Sequence, residues 1–383
     1  MKIGLIAPPW VPVPPPGYGG IESMVDILAR GLSDRGHDVT LFATGDSTCP
    51  VARDYLFEHG VTPINDQQLE RQHDDRAYAA LRESDLIHDH TLIGPSLNRT
   101  RIPIITTMHG LMIPEVLQRT SQYPPNVTIV AISKSQRESA PNVNFGPVIH
   151  HGIEVDKVPF GDGRGDYLLF LGRMDATKGV HTAISVAHRA GARLIIAAKM
   201  REPKERQYFE DRIRPHLGNG IEYVGEVDFN TKAELLGGAR ALLNPIQWDE
   251  PFGLVMIEAL AAGTPVIASP RGAAPEIVED GSSGFLCQTV DEAVRAVGSI
   301  AEIDRLACRD RVRRLFSAER MTNDYEQLYK SLVGQAAAAA MTSKSLTSTE
   351  QPWGSVHATL RAMRQRFPSR RSRNRRELSP DGH

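Results

Sequence analysis

The sequence predicts an α/β protein made of two doubly wound parallel sheets that face each other across a cleft. Three observations predict it. In the first part, short β-rich runs alternate with helical patterns, which is how βα units on a parallel sheet read. At Asp162-Gly163-Arg164-Gly165-Asp166 a polar, glycine-rich break interrupts the alternation, and beyond it the pattern restarts. The length, 383 residues, accommodates two such domains of ordinary size. The expected organisation is an N-terminal domain over 1–158, a C-terminal domain over 159–318, a closing helix over 319–333 and a basic, disordered tail over 334–383.

Lys2 to Ala7, Asp38 to Ala43, Leu86 to His88, Ile102 to Thr106, Val127 to Ile132 and Val148 to His150 read as the strands of the first sheet. Between the first two, Ile21, Met24, Val25 and Leu28 put one apolar face on a helix that should end near Gly31 to Gly36. The second sheet is expected from Tyr167 to Leu171, Arg193 to Ala198, Ile221 to Val224, Ala241 to Leu243 and Pro265 to Ala268. Met321, Tyr325, Leu328, Tyr329 and Leu332 form the apolar stripe of the closing helix, and the Ala run after Gly334 reads as a linker. Such sheets place ligands where their carboxyl edges meet, and the linker near residues 155–162 is the expected hinge.

Composition narrows the class. No apolar run approaches the roughly 20 residues of a membrane span. Met1-Lys2-Ile3-Gly4-Leu5-Ile6-Ala7 enters a strand directly, without the regions of a signal peptide. Three cysteines, an odd number without a CxxC pair, fit reduced thiols in a cytoplasmic protein and argue against structural zinc. The net charge of −2 hides an asymmetry, because nine Lys/Arg against three Asp/Glu from Gly334 onward give the tail +6 and leave −8 for the body.

The most informative stretch runs from Trp248 to Leu260, with Glu250 and Glu258 eight residues apart. It follows the apolar run Ala241-Leu242-Leu243-Asn244-Pro245 and reads strand, loop, helix. Glu250 then lies in the loop and Glu258 about one and a half turns into the helix. Between them the N–H groups of Gly253, Leu254 and Val255 have no helical partner. Such groups favour phosphate, while flanking carboxylates suit sugar hydroxyls, so the segment reads as a site for a nucleotide-linked sugar.

Gly172-Arg173-Met174-Asp175-Ala176-Thr177-Lys178-Gly179 ends the first strand of the second half, where Arg173 and Lys178 suit a diphosphate. The competing account is that Lys178 merely solvates a helix start, a place mildly unfavourable to a cation. In the first half, Pro14 to Glu22 joins strand to helix, and Gly19 and Gly20 allow backbone to approach a ligand closely; an ordinary turn is the alternative. His109 follows another strand and is expected to orient or polarise the reacting sugar, against the simpler account of a hydrogen-bonded strand end. His88-Asp89-His90 invites a metal assignment, but strand alternation is expected to let only one of its histidines reach a given site. No Asp-x-Asp occurs, so no metal is expected and the cations and helix dipole should neutralise the diphosphate.

With these residues assembled, residues 1–333 resemble the family 4 retaining glycosyltransferases, which have the GT-B fold of two Rossmann-like domains. The E-x7-E segment followed by Ala259-Leu260-Ala261-Ala262-Gly263-Thr264-Pro265-Val266-Ile267-Ala268 carries most of the resemblance. Gly19-Gly20-Ile21-Glu22, the Gly172 to Gly179 segment and His150-His151-Gly152-Ile153-Glu154 support it. The resemblance implies an acceptor-binding N-terminal domain and a C-terminal domain that binds the sugar nucleotide, UDP-linked by family frequency. It implies that Glu258 holds the ribose and Glu250 the donor sugar. Arg173, Lys178 and the N–H groups of Gly253, Leu254 and Val255 would neutralise the diphosphate, with Gly20 approaching it from the opposite domain and His109 beside the sugar. His151 and Glu154 depart from the family's usual Asn and Asp, which puts the hinge detail in doubt.

A sugar-nucleotide epimerase or a phosphorylase on a similar scaffold and a catalytically silent sugar-nucleotide sensor are the rival functions. In the tail, Trp353, Val356, Leu360, Met363 and Phe367 recur at helical spacing among arginines. That stripe suits peripheral contact with an anionic membrane, with a disordered tail as the competing account. Nucleic acid is disfavoured, because the body is acidic and carries no reader motif.

Overall fold

Each half of the chain builds one all-parallel sheet. In the computed structural model, which describes residues 1–347 except 18, 98 and 99, the first sheet holds β1 (Lys2–Ile6), β2 (Asp38–Ala43), β3 (Ala52–Tyr55), β4 (Leu86–Asp89), β5 (Ile104–Met108), β6 (Val127–Ala131) and β7 (Phe145–Val148). Its spatial order is β3-β2-β1-β4-β5-β6-β7. The second holds β8 (Tyr167–Arg173), β9 (Arg193–Lys199), β10 (Ile221–Gly225), β11 (Ala241–Asn244), β12 (Val266–Ala268) and β13 (Gly284–Leu286), in the order β10-β9-β8-β11-β12-β13. Strand order reverses between β1 and β4 and again between β8 and β11. The loops that follow those four strands therefore line the crevices where doubly wound sheets bind ligands.

Helices flank the first sheet at α1 (Gly20–Asp34), α2 (Gln67–Ala80), α3 (Gly94–Leu97), α4 (Pro114–Thr120) and α5 (Lys134–Glu138). Those of the second are α6 (Val180–Ala190), α7 (Pro203–Tyr208), α8 (Phe229–Gly238), α9 (Leu254–Ala261), α10 (Ala274–Ile277), α11 (Val290–Ser299) and α12 (Arg305–Leu315). With helices on both faces, the middles of the central strands are buried. Leu168, Leu169 and Phe170 are at most 2% exposed, which is why they read as continuous apolar runs.

The last helix, α13 (Ala318–Thr347), returns to the first sheet. Tyr329 Oη lies 2.6 Å from His88 Nδ1, Tyr325 Oη lies 2.8 Å from Thr107 Oγ1, and Glu326 accepts from Arg35 at 3.0 Å. The chain thus passes between the sheets twice, and the two passages are hydrogen-bonded side by side. Ile153 N–H donates to Phe316 O at 2.9 Å, and Ala318 N–H donates to Ile153 O at 2.8 Å.

Several elements differ from the sequence reading. β3 is a polar edge strand, Ala-Arg-Asp-Tyr, and β13 has three residues, so neither gives an apolar run. β5 begins after Pro103 and runs to Met108, two residues beyond the expected end. β7 begins three residues and ends two residues earlier than expected, because an edge strand tolerates Gly146 and Pro147. The expected linker at Gly334 is helical instead: alanine is the strongest helix former, and α13 runs through Ala336–Ala340. The stripe from Trp353 to Phe367, with the membrane contact it suggested, lies outside the described residues. Among the described residues no helix is long and apolar enough to cross a membrane.

Candidate functional site

β8 ends at Arg173 and the chain turns at once, with the Asp175 carboxylate accepting the Thr177 N–H at 2.8 Å. Gly179 takes φ +76°, and a Cβ there would overlap the Pro245 carbonyl, so glycine lets this turn pack on the end of β11. Gln247 N–H donates to Thr177 O at 2.7 Å and ties the two segments together. The result is that Lys178 Nζ donates to Glu250 Oε1 at 2.5 Å and lies 5.0 Å over the Trp248 ring. These two charged side chains are 13% and 16% exposed. Arg173, at the same sheet edge, makes no side-chain hydrogen bond or salt bridge among the described residues.

After β11 the loop reaches Gly253, whose φ of +106° starts α9 without any side-chain cap. The N–H groups of Gly253, Leu254 and Val255 find no acceptor among the described residues. The positive end of that helix is therefore unneutralised. Facing it is the start of α1, where a Cβ on Gly20 would come within 3.3 Å of Leu254 Cδ1. Gly19 caps α1, again without a side-chain hydrogen bond. Two helix tips from the two sheets thus converge. They differ in one respect: Glu22 lies buried in the first turn of α1, where burial raises its pKa against the opposing pull of its own N–H.

Glu258 makes no hydrogen bond to Lys178 or Glu250 among the described residues. It accepts from Lys232 Nζ, on α8, at 2.7 Å. Lys232 was invisible to motif reasoning, because it lies 26 residues away in a helix with no pattern of its own.

His109, directly after β5, sits in a chain of imidazoles. Its Nε2 is 2.9 Å from His90 Nδ1, and its Nδ1 is 3.4 Å from His151 Nε2. Burial pushes its pKa down to about 3. His151 in turn packs edge-on against Phe252 at 5.2 Å, so His109 reaches the Glu250–Gly253 loop through one intervening ring. The expectation that His88 and His90 diverge is corrected. Residues two apart on a strand share a face, and their rings lie 4.0 Å apart. Among the described residues no group of three or more His, Cys, Asp or Glu is arranged to hold a metal ion.

A second contact between the domains escaped the sequence reading. Glu276, at α10, accepts the Lys134 and Ser135 N–H groups at the start of α5, both at 2.9 Å, and its Oε2 lies 2.8 Å from His150 Nε2. Burial would raise the pKa of Glu276, but the His150 bond and the two N–H groups outweigh it and hold it low.

Comparison with known proteins agrees with this architecture. The sequence model for glycosyl transferases group 1 matches residues 155–313, and that for glycosyltransferase family 4 matches residues 18–157. Glycogen synthase of Mycobacterium tuberculosis is 27% identical over 384 residues, covering 82% of this chain and 89% of that protein. Phosphatidyl-myo-inositol mannosyltransferase of Mycolicibacterium smegmatis is 26% identical over 343 residues, covering 80% and 86%. The crystal structure of AviGT4, a glycosyltransferase involved in avilamycin A biosynthesis, superposes with a TM-score of 0.70 at 27% identity, covering 87% of this chain and 98% of that one. Two parallel-sheet domains, matched in turn by the models for glycosyltransferase family 4 and glycosyl transferases group 1, identify the chain as a GT-B glycosyltransferase of that class.

Proposed function

We propose that the protein transfers a hexose from a nucleotide-diphosphate sugar, with UDP-sugars as the first donors to try, to a hydroxyl acceptor, and that the anomeric configuration is retained. The observation that carries this reading is the convergence of the tips of α1 and α9, neither bonded by an N-cap side chain, with Lys178 held by Glu250 in the loop that leads into α9. Helix tips and cations together form an anion site, and a diphosphate carries the charge to fill it. The relatives include a glycogen synthase and a mannosyltransferase, whose names are those of sugar-transferring enzymes.

The chemistry follows from the ion pair already present. An arriving diphosphate competes for Lys178, which frees Glu250 to accept hydrogen bonds from the donor sugar's hydroxyls. As the glycosidic bond lengthens, negative charge grows on the leaving phosphate. In this scheme the N–H groups of Gly253, Leu254 and Val255, with Arg173 and the released Lys178, stabilise that charge. The leaving phosphate oxygen takes the acceptor's proton on the face it departs from. Glu258 holds the ribose, and the N-terminal domain brings the acceptor. No bound metal is required by this scheme.

Thermal-shift screening of UDP-, GDP- and ADP-linked sugars tests the donor, since a binder stabilises by mass action. NMR of the product's anomeric proton then tests retention. If none of these donors shifts the melting temperature, the donor-site reading fails; an inverted product removes the retaining mechanism alone.

A further inference from the structure

His90, His109 and His151 come from the ends of three different strands, β4, β5 and β7, yet their rings form one hydrogen-bonded row. A neutral imidazole carries one proton and offers one acceptor, so the row can run in only two directions. In one, His151 donates to His109 and His109 to His90, which leaves a proton on His90 Nε2. In the other, His90 Nδ1–H donates to His109 Nε2, and His109 Nδ1–H points to His151 Nε2. His90 is 5% exposed, and its Nε2 is buried without a hydrogen-bond partner among the described residues. An orphaned buried N–H is tolerated more rarely than an orphaned acceptor, which selects the second direction.

We propose, building on the donor-site reading above, that His90 is a positioning residue that fixes the proton of His109 on Nδ1, making His109 a neutral hydrogen-bond donor to a hydroxyl oxygen of the donor sugar. His151 occupies that position until the sugar arrives. The contact lengths agree: the His90–His109 bond is 2.9 Å, whereas the His109–His151 contact is 3.4 Å, beyond the usual range of about 2.7–3.2 Å. One bond is firm and the other is ready to be exchanged.

The surroundings keep the row uncharged. The His88 ring packs against His90 at a tilt of 37° and is itself held between Tyr329 Oη and Thr107 Oγ1. On the other side, Arg320 donates to the carbonyls of His150 and His151, and His150 is engaged by Glu276. Desolvation, the neighbouring imidazoles and Arg320 all disfavour a further proton, and His90 and His151 are held well below the ordinary histidine value. The row therefore stays neutral across about pH 5–8, where an ordinary histidine would titrate.

The test combines ¹⁵N-histidine NMR of the unliganded full-length protein with UDP release from UDP-glucose. The expected wild-type spectrum has the His109 proton on Nδ1 alone. His90→Phe keeps a buried ring but removes the donor, so the His109 proton should redistribute toward Nε2. In the same variant kcat should fall about 10²-fold, as for a misplaced reacting group, with the donor KM unchanged. His90→Asn sets an amide N–H near the position of Nδ1 and should restore both the proton position and most of the rate. A His109 proton on Nε2 in the wild type overturns the proposal, as does a Phe variant indistinguishable from wild type, or an Asn variant as impaired as the Phe variant. If UDP-glucose is neither bound nor turned over by the wild type, the choice of UDP-glucose as donor fails; the proton position is still read from the spectrum and decides the role of His90.

Discussion

Lys178 has one ammonium group, which Glu250 holds in the unliganded protein and which the proposed function gives over to the donor's diphosphate. Lys178→Ala and Arg173→Ala should each lower donor turnover by about 10²–10³-fold, equivalent to about 2.7–4 kcal/mol of transition-state stabilisation. Initial rates measured with saturating donor check this, and rates near wild type would remove either residue from the role. A second residue-scale expectation concerns Asp89. It is fully buried, with Tyr78 Oη donating to it at 2.7 Å and the Thr91 N–H at 2.8 Å. Burial, only partly offset by the Thr91 and Tyr78 hydrogen bonds, raises its pKa. The folded state thus binds a proton more tightly than the unfolded one. That stability is fully present below the unfolded value of about 3.9 and is lost as pH rises through the folded value. Asp89→Asn should flatten this decline, as urea melts at a series of pH values would report. Lys178 and Glu250 were legible in the sequence because each stands in a motif segment at a sheet's carboxyl edge. Lys232, Glu276 and the His90–His151 row were not, because their partners arrive from remote strands and helices that no spacing rule connects.

At the scale of elements, two glycine turns aim the site. Gly179 brings the β8 turn against β11, and Gly253 turns the chain into α9. Alanine at either position must adopt a left-handed backbone and meet Pro245 or Met256, so each substitution should destabilise by about 1–3 kcal/mol. Denaturant midpoints would measure the loss, and an unchanged midpoint would show that the turn adapts. The sequence revealed the central strands well, since burial on both faces makes most of their residues apolar; β4 and β5 also bury His88, Asp89, Thr106 and Thr107. It revealed the edges poorly. β3 carries Arg53 and Asp54, β7 carries Pro147, and β13 is short, each a feature an edge strand permits and a central one does not. α13 was misjudged at its far end because an alanine run has no amphipathic face, although its backbone preference is strong.

At the scale of the whole molecule, Glu276 fastens the second domain to the first through two N–H groups and His150. Because its pKa is held low, its contribution is present above the unfolded carboxylate value and disappears as pH falls through the folded one. Glu276→Gln should cost about 1.5–3 kcal/mol at neutral pH, the range for hydrogen bonds to a charged group. Small-angle scattering should then show a wider separation of the domains. An unaltered scattering profile and unaltered stability would mean that the contact fastens nothing.

The paired crossings at Ile153 and Phe316–Ala318 bear on how that separation can change. One tether would leave the second domain able to swing, twist and roll. Two tethers laced together resist the twist and the roll, leaving the swing. A closure along that path would bring the tips of α1 and α9 back to the same alignment, so the anion site proposed above would re-form without a search.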